Sequence, residues 1–292
     1  MINFFADIFG YILNWIYLLV QNYGFAIIIF SVLIKLVMLP LSIKQQKTLK
    51  KNEKIQKEMK LLQIKHKGNP ERLNQEMMEL YKREKVNPFG GCFSVIIQFI
   101  LILAMFSLVR SPLTFMKQIE EPAITAQIEE IKKEKGENSI SVAYPEMSVI
   151  KYIQEKNLTD SDMYINMNFL GLDLSNVPQE NYTDIKVFII PILYVISSVI
   201  SIKITTISNN KKKDDSNSKA LTSKQDNEEL DGEEMTMKMN KTMSLMMPIL
   251  SVSISLVAPL GLALYWLVNN IIMIIERLVL NKIFSKEEEK NG

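Results

Sequence analysis

The 292-residue chain holds one cysteine and one histidine. A single thiol, Cys92, excludes an internal disulfide framework, and its ordinary role is that of a small buried apolar side chain. The one imidazole, His66, stands between Lys65 and Lys67 and reads as a surface residue, and no metal-ligand constellation surrounds it. Also missing are the phosphate-cradling G-x-x-x-x-G-K-[ST] loop, the H-E-x-x-H zinc motif and the G-x-S-x-G nucleophile elbow. The reading is therefore no enzyme, no cofactor and no metal. Residues 1–34 lack lysine and arginine altogether, and "MINFFADIFG" has no basic n-region, so no cleavable signal peptide is expected.

What is present is segregated. Five apolar stretches, 23–41, 89–109, 187–207, 242–258 and 260–280, approach the roughly 20 residues that cross a bilayer. The last two are separated by little more than Pro259 and must form a tight hairpin. The expected fold is an all-α membrane protein with a five-span helical core. Residues 1–22 read as an interfacial amphipathic helix, because Phe4, Phe5, Ile8, Ile12, Trp15, Ile16 and Leu19 follow helical spacing while Asn3, Asp7 and Asn14 lie on another face. A sixth span is the alternative.

Orientation follows the basic residues. Segment 44–85 carries 13 Lys/Arg against six Asp/Glu and is placed inside; 110–186 carries 13 Asp/Glu against eight Lys/Arg and is placed outside. That puts the N-terminus outside and the C-terminal tail, 281–292, in the cytoplasm of a bacterial cell. Within 42–87 two apolar stripes, Ile55/Met59/Leu62 and Leu73/Met77/Leu80, flank "KGNPE" and predict a helical hairpin. Gly68 suits the C′ position, Asn69 an N-cap and Pro70 the first helical position. The lysines of its first arm read as a solvated, inside-anchoring face or as a docking surface for anionic lipid, ribosomal RNA or a partner. Segment 208–241 lacks apolar period and is expected to be disordered, and "AQIEEIKKEKGEN" to form a short exposed helix.

One residue breaks the pattern. In "IIIFSVLIKLVMLPL" Lys35 lies near mid-span, nine residues or about 13 Å of helix from Lys44. A cation there costs at least about 2.5–3.5 kcal/mol on insertion scales. It is read as lining a wetted cavity, with a snorkelling or internally paired lysine as the alternative. No acidic residue deep in another span offers a partner; Glu276 lies towards the inner end of the fifth span, with Arg277 as its expected partner. Ser31 shares a helix face with Lys35, but a serine–lysine hydrolase lacks an oxyanion donor there. Ser94, Gln98, Ser197, Ser198, Ser251, Ser253, Ser255, Asn269 and Asn270 could line such a cavity or glue helices together.

These residues resemble the YidC-type membrane-protein insertases along most of 10–284. "NYGFAIIIFSVLIKLVMLPL" is similar to the family's first core span, where an arginine stands eleven residues after the glycine; here Gly24 plus eleven is Lys35. "LYKREKVNPFGGC", "FLGLDLS", "MNKTMSLMMP" and "PLGLALYWLVNN" follow in the family's order. The resemblance implies a hydrophilic groove open to cytoplasm and lipid, with Lys35 as the groove charge attracting acidic tails. It implies Ser31 beside that charge and Tyr265 and Trp266 as contacts for the client helix, and Gln98 and Asn269, read above from polarity, join Ser31 as the groove's expected lining. Implied partners are nascent membrane proteins and lipids, with the ribosome and the general secretion channel as further candidates and no DNA. A non-translocating assembly chaperone and a small transporter stay open as rival readings. The sequence departs from the family in carrying lysine for arginine, in lacking a proline shortly after Cys92, and in a short tail of mixed charge.

Overall fold

A computed structural model describes residues 2–66, 68–84, 90–214 and 250–291. Ten described helices carry the fold. Helix α1 covers Ile2–Val20, α2 Tyr23–Lys65, α3 Pro70–Arg83, α4 Gly90–Arg110, α5 Pro112–Phe115, α6 Glu121–Lys135 and α7 Pro145–Glu155. A two-stranded ribbon, β1 (Asn168–Phe169) and β2 (Leu172–Asp173), precedes α8 (Ile189–Asp214). Residues 250–257 form α9, and α10 covers Leu260–Asn291. The architecture is an all-α membrane protein.

The expected first span and the first hairpin arm are one helix. α2 runs for 43 residues, about 65 Å, straight through Pro40. It is capped by Asn22, whose side chain accepts from the Phe25 N–H. Pro40 removes one ladder hydrogen bond but does not end the helix, so the expected boundary at 41 is absent. The hairpin then closes as the sequence indicates. Asn69 caps α3 through the Arg72 N–H, Pro70 opens it, and Ile55 and Leu80 are buried against Met59, Leu62 and Tyr81. Gly68 is not the C′ residue: α2 is capped at His66, and Gly68 does not adopt positive φ. The second arm ends at Arg83, short of the expected Asn87.

α4 and α10 start close to the expected limits, and α8 continues through Asp214 into the stretch read as a disordered loop. The rest of that loop, and the first part of the expected fourth span, lie outside the described residues. Among these residues four helical stretches have the length and composition of a span: Asn3–Val20, Tyr23–Thr48, Ile185–Ile204 and Leu260–Ile283.

α1 buries Ala6, Phe9, Leu13, Ile16 and Tyr17 and leaves Phe4, Tyr11, Trp15 and Leu19 exposed. Of the stripe read from spacing, Phe4, Trp15 and Leu19 are exposed while Ile16 is buried, because both faces are apolar. It touches outer-segment residues along much of its length. Gly10 lies so close to Phe115 that a Cβ would come within 1.9 Å of the Phe115 carbonyl oxygen, and Tyr17 accepts the Asn166 N–H at 2.8 Å.

The segment 111–188 is a folded cap. Helix α6 is not wholly exposed: Ile124 and Ile131 are buried. Glu146 in the first turn of α7 is buried and accepts from the N–H groups of Leu113 and Thr114 at 2.7 and 3.1 Å and from the Thr114 hydroxyl at 2.7 Å. Burial pushes its carboxyl above the usual range, outweighing those bonds. The ribbon turns through Leu170 and Gly171, at φ 51° and 80°, as a two-residue hairpin loop requires. Phe169 of that ribbon stacks edge-on with Phe25, ring centroids 5.2 Å apart, and fills the space beside Gly24.

Candidate functional site

The site lies where α2 meets α10. Near the helix N-termini Gly261 lies against Tyr23: an added Cβ would meet the ring at 3.2 Å. Further in, Lys35 Nζ stands 2.8 Å from Glu276 Oε2. Deeper still, Gln46 Nε2 donates to Asn281 Oδ1 at 3.1 Å. Residue numbers rise together at the three levels, so the helices run parallel. Lys35 is about 18 Å of helix from Tyr23, well inside any bilayer that α2 crosses.

The Lys35–Glu276 contact overturns the expectation that Lys35 lacks an acidic partner and that Glu276 pairs with Arg277. Neighbours in a helix project about 100° apart and do not face each other. Parallel packing instead brings Glu276 over Lys35, although Arg277 still feels its field. The Lys35 side chain is 24% exposed and that of Glu276 10%, so the pair is shielded without being sealed. Glu276 Oε1 is buried and has no hydrogen-bond partner among the described residues. Around the pair α2 shows an apolar exterior: Val32, Leu33, Leu36 and Val37 are all exposed.

The other predicted residues fall in different places. Ser31 is buried and donates its hydroxyl to the Ile27 carbonyl at 2.7 Å. Asn269 is half-buried beside the Tyr265 hydroxyl. Tyr265 and Trp266 are buried, and Trp266 packs on Tyr194 with ring centroids 6.1 Å apart. The side chains of Ser94 and Gln98 lie outside the described residues. Asn270 is helix glue: its amide donates to the Ser197 and Ser198 hydroxyls at 2.9 and 3.2 Å, tying α10 to α8. Ser255 is satisfied by the Val252 carbonyl.

The N-terminal ends of α2 and α10 are capped by one short stretch, residues 166–179. Tyr23 N–H donates to the Asn166 carbonyl at 3.0 Å, and the Asn22 side chain to the Asn168 carbonyl at 2.7 Å. Leu260 and Gly261 N–H groups donate to the Asn176 and Leu174 carbonyls at 2.9 and 3.0 Å. Gln179 N–H reaches the Leu256 carbonyl at the end of α9. The Tyr23, Leu260 and Gly261 bonds satisfy three orphan donors at two helix N-termini, and the Gln179 bond satisfies a carbonyl at the C-terminal end of α9. Sequence reading missed these cap residues and the role of Glu276. For Glu276 the signal was visible: it is an acid inside "NNIIMIIERLVL".

Comparison with known proteins bears on the same elements. The family model described as "60Kd inner membrane protein" matches residues 15–288. "Membrane protein insertase YidC" of Caldanaerobacter subterraneus is 26% identical over 270 residues, covering 92% of this chain and 90% of that protein. The protein of that name from Treponema denticola is 25% identical over 276 residues, 94% of this chain and 37% of its own. That from Fusobacterium nucleatum is 38% identical over 109 residues, 37% of this chain and 53% of its own. The chain thus spans little more than a third of the Treponema protein's length. The family match takes in α2, α10 and the cap that joins them, and with it the chain belongs to the 60Kd inner membrane protein family, the family of YidC.

Proposed function

We propose that this chain is a membrane-protein insertase, in which the cytoplasmic side of the α2–α10 interface receives a client's polar tail while its apolar helix passes into lipid. The observation that carries the reading is Lys35, a cation held at mid-helix in a spanning stretch and partly exposed beside an apolar exterior. The names of the relatives support it. A carboxylate meeting Lys35 in this low-dielectric surround gains more than it would in water. An acidic tail moving outward also follows the membrane potential, about 2.3 kcal/mol per charge per 100 mV. The client helix then partitions into lipid through its own apolar surface.

In this scheme the N-terminus is outside, α1 rests in the outer interface and the tail after α10 is cytoplasmic. The cap over α2 and α10 closes the outer side. Gln98 and Asn269 line the path, Ser31 stays behind it with its hydroxyl on the Ile27 carbonyl, and Tyr265 and Trp266 meet the client once α8 and α10 part. The α2–α3 hairpin receives nascent chains from the ribosome or passes them on from the general secretion channel.

The test is reconstitution in liposomes with a single-span, acidic-tailed client. Lys35→Arg keeps insertion and Lys35→Glu abolishes it. Normal rates for both Lys35→Ala and Lys35→Glu would sink the groove-charge reading. Gln98→Cys, in a Cys92→Ser background, reacts with a water-soluble thiol reagent from the cytoplasmic side; no labelling from either side would mean a dry bundle. A chaperone that moves no tails binds the client in this assay without translocating it, and a transporter does neither.

A further inference from the structure

We propose that Glu276 is a built-in competitor for the client's carboxylate: it occupies Lys35 at rest and must be displaced before an acidic tail can use that charge. This rests on the insertase reading and adds the selection rule of the same site. Three observations carry it. The ion pair is direct, with Nζ and Oε2 at 2.8 Å, and both residues belong to helices fixed parallel by contacts above and below. Only one Glu276 oxygen is engaged; Oε1 has no hydrogen bond among the described residues, so the carboxylate is held by a single contact. The pair is also reachable, since Lys35 keeps 24% of its side-chain surface.

An unpaired ammonium at this depth is costly, because a shielded charge stripped of its partner keeps its desolvation penalty uncompensated. Glu276 removes that cost at rest. Exchange of Glu276 for a client carboxylate keeps the number of ion pairs constant but leaves the Glu276 carboxylate without a cation, a cost the client must offset. The freed Glu276 turns inward, towards the level of Gln46 and Asn281, about 7–8 Å along α10. The competitor also sets a threshold. Apparent affinity for a carboxylate is reduced by the fraction of chains in which Lys35 is free. A neutral tail cannot displace Glu276 and gains nothing from Lys35.

The experiment compares two clients in liposomes, identical except for one aspartate or one asparagine in the translocated tail. Glu276→Gln inserts the aspartate client several-fold faster than the intact chain, Glu276→Asp falls between, and the asparagine client is inserted equally by all three. If Glu276→Gln inserts the asparagine client normally but the aspartate client no faster than the intact chain, the competitor role is overturned. If Glu276→Gln inserts neither, Glu276→Asp decides: a rate for the aspartate client at or below that of the intact chain overturns the proposal. Lys35→Gln separates this failure from that of the insertase reading. Should Lys35→Gln insert the aspartate client as fast as the intact chain, the groove charge itself is wrong, whatever Glu276 does.

Discussion

The N-terminal and C-terminal halves of the α2–α10 interface are built differently. Near the helix N-termini the closure is made mainly of backbone: N–H groups of Tyr23, Leu260 and Gly261 meet carbonyls of Asn166, Asn176 and Leu174, over a fully buried Tyr23. Further along it is made of side chains: Lys35 on Glu276, and Gln46 on Asn281. Backbone bonds are fixed by the path of the chain. Side-chain pairs can be exchanged by rotamer changes without moving a helix. One interface can therefore be shut at one end and exchangeable at the other.

The largest effect is expected from reversing the Lys35 charge. Lys35→Glu sets two carboxylates at the 2.8 Å contact, and thermal unfolding in detergent should show a loss of at least about 3–5 kcal/mol. Adding Glu276→Lys should restore most of it; no recovery would mean that the pair is not what holds the C-terminal half. Next come the tight glycine contacts. Gly10→Ala drives a Cβ into the Phe115 carbonyl oxygen, whereas Gly24→Ala meets the Phe169 ring at 2.3 Å. A ring can shift more readily than a backbone, so Gly10→Ala should be the worse of the two within an overpacking range of about 1–3 kcal/mol.

Glu146 tests the cap. Glu146→Ala leaves the Leu113 and Thr114 N–H groups without their acceptor and should cost about 1–3 kcal/mol. The folded chain holds the Glu146 proton more tightly than the unfolded one, because burial raises its carboxyl. That stabilisation is present below the ordinary carboxyl range and is lost as pH rises through the raised value. Measured stability of Glu146→Gln relative to the intact chain should accordingly improve with rising pH; a fall would contradict the direction of the shift. Smallest is Asn270→Ala between α8 and α10, about 0.6 kcal/mol by the usual worth of such bonds in membrane bundles.

Much of this was legible in the sequence because it is local. Apolar runs located most of the described spanning stretches, and Asn69–Pro70 located the start of α3. Period alone did not find the buried face of α1, since a helix apolar on both sides has no distinguishing stripe. The first span was expected to stop at 41, but the helix runs on through Pro40, since one missing hydrogen bond does not break a helix that its neighbours support. Ser31 and Asn270 illustrate the same limit for the site: spacing put hydroxyls and amides in the spans, and only packing made one a back-bonded core residue and the other a tie to α8.

By itself, then, the sequence determined which stretches are apolar enough for lipid, that a cation sits in the middle of one, and where the α2–α3 hairpin turns. Each is written in consecutive residues as composition, period or capping chemistry. Tertiary structure alone decided that α2 and α10 run parallel, that Glu276 faces Lys35 rather than Arg277, and that residues 166–179 cap both helices. Those contacts join residues that are distant along the chain, and their geometry depends on which helix faces pack together.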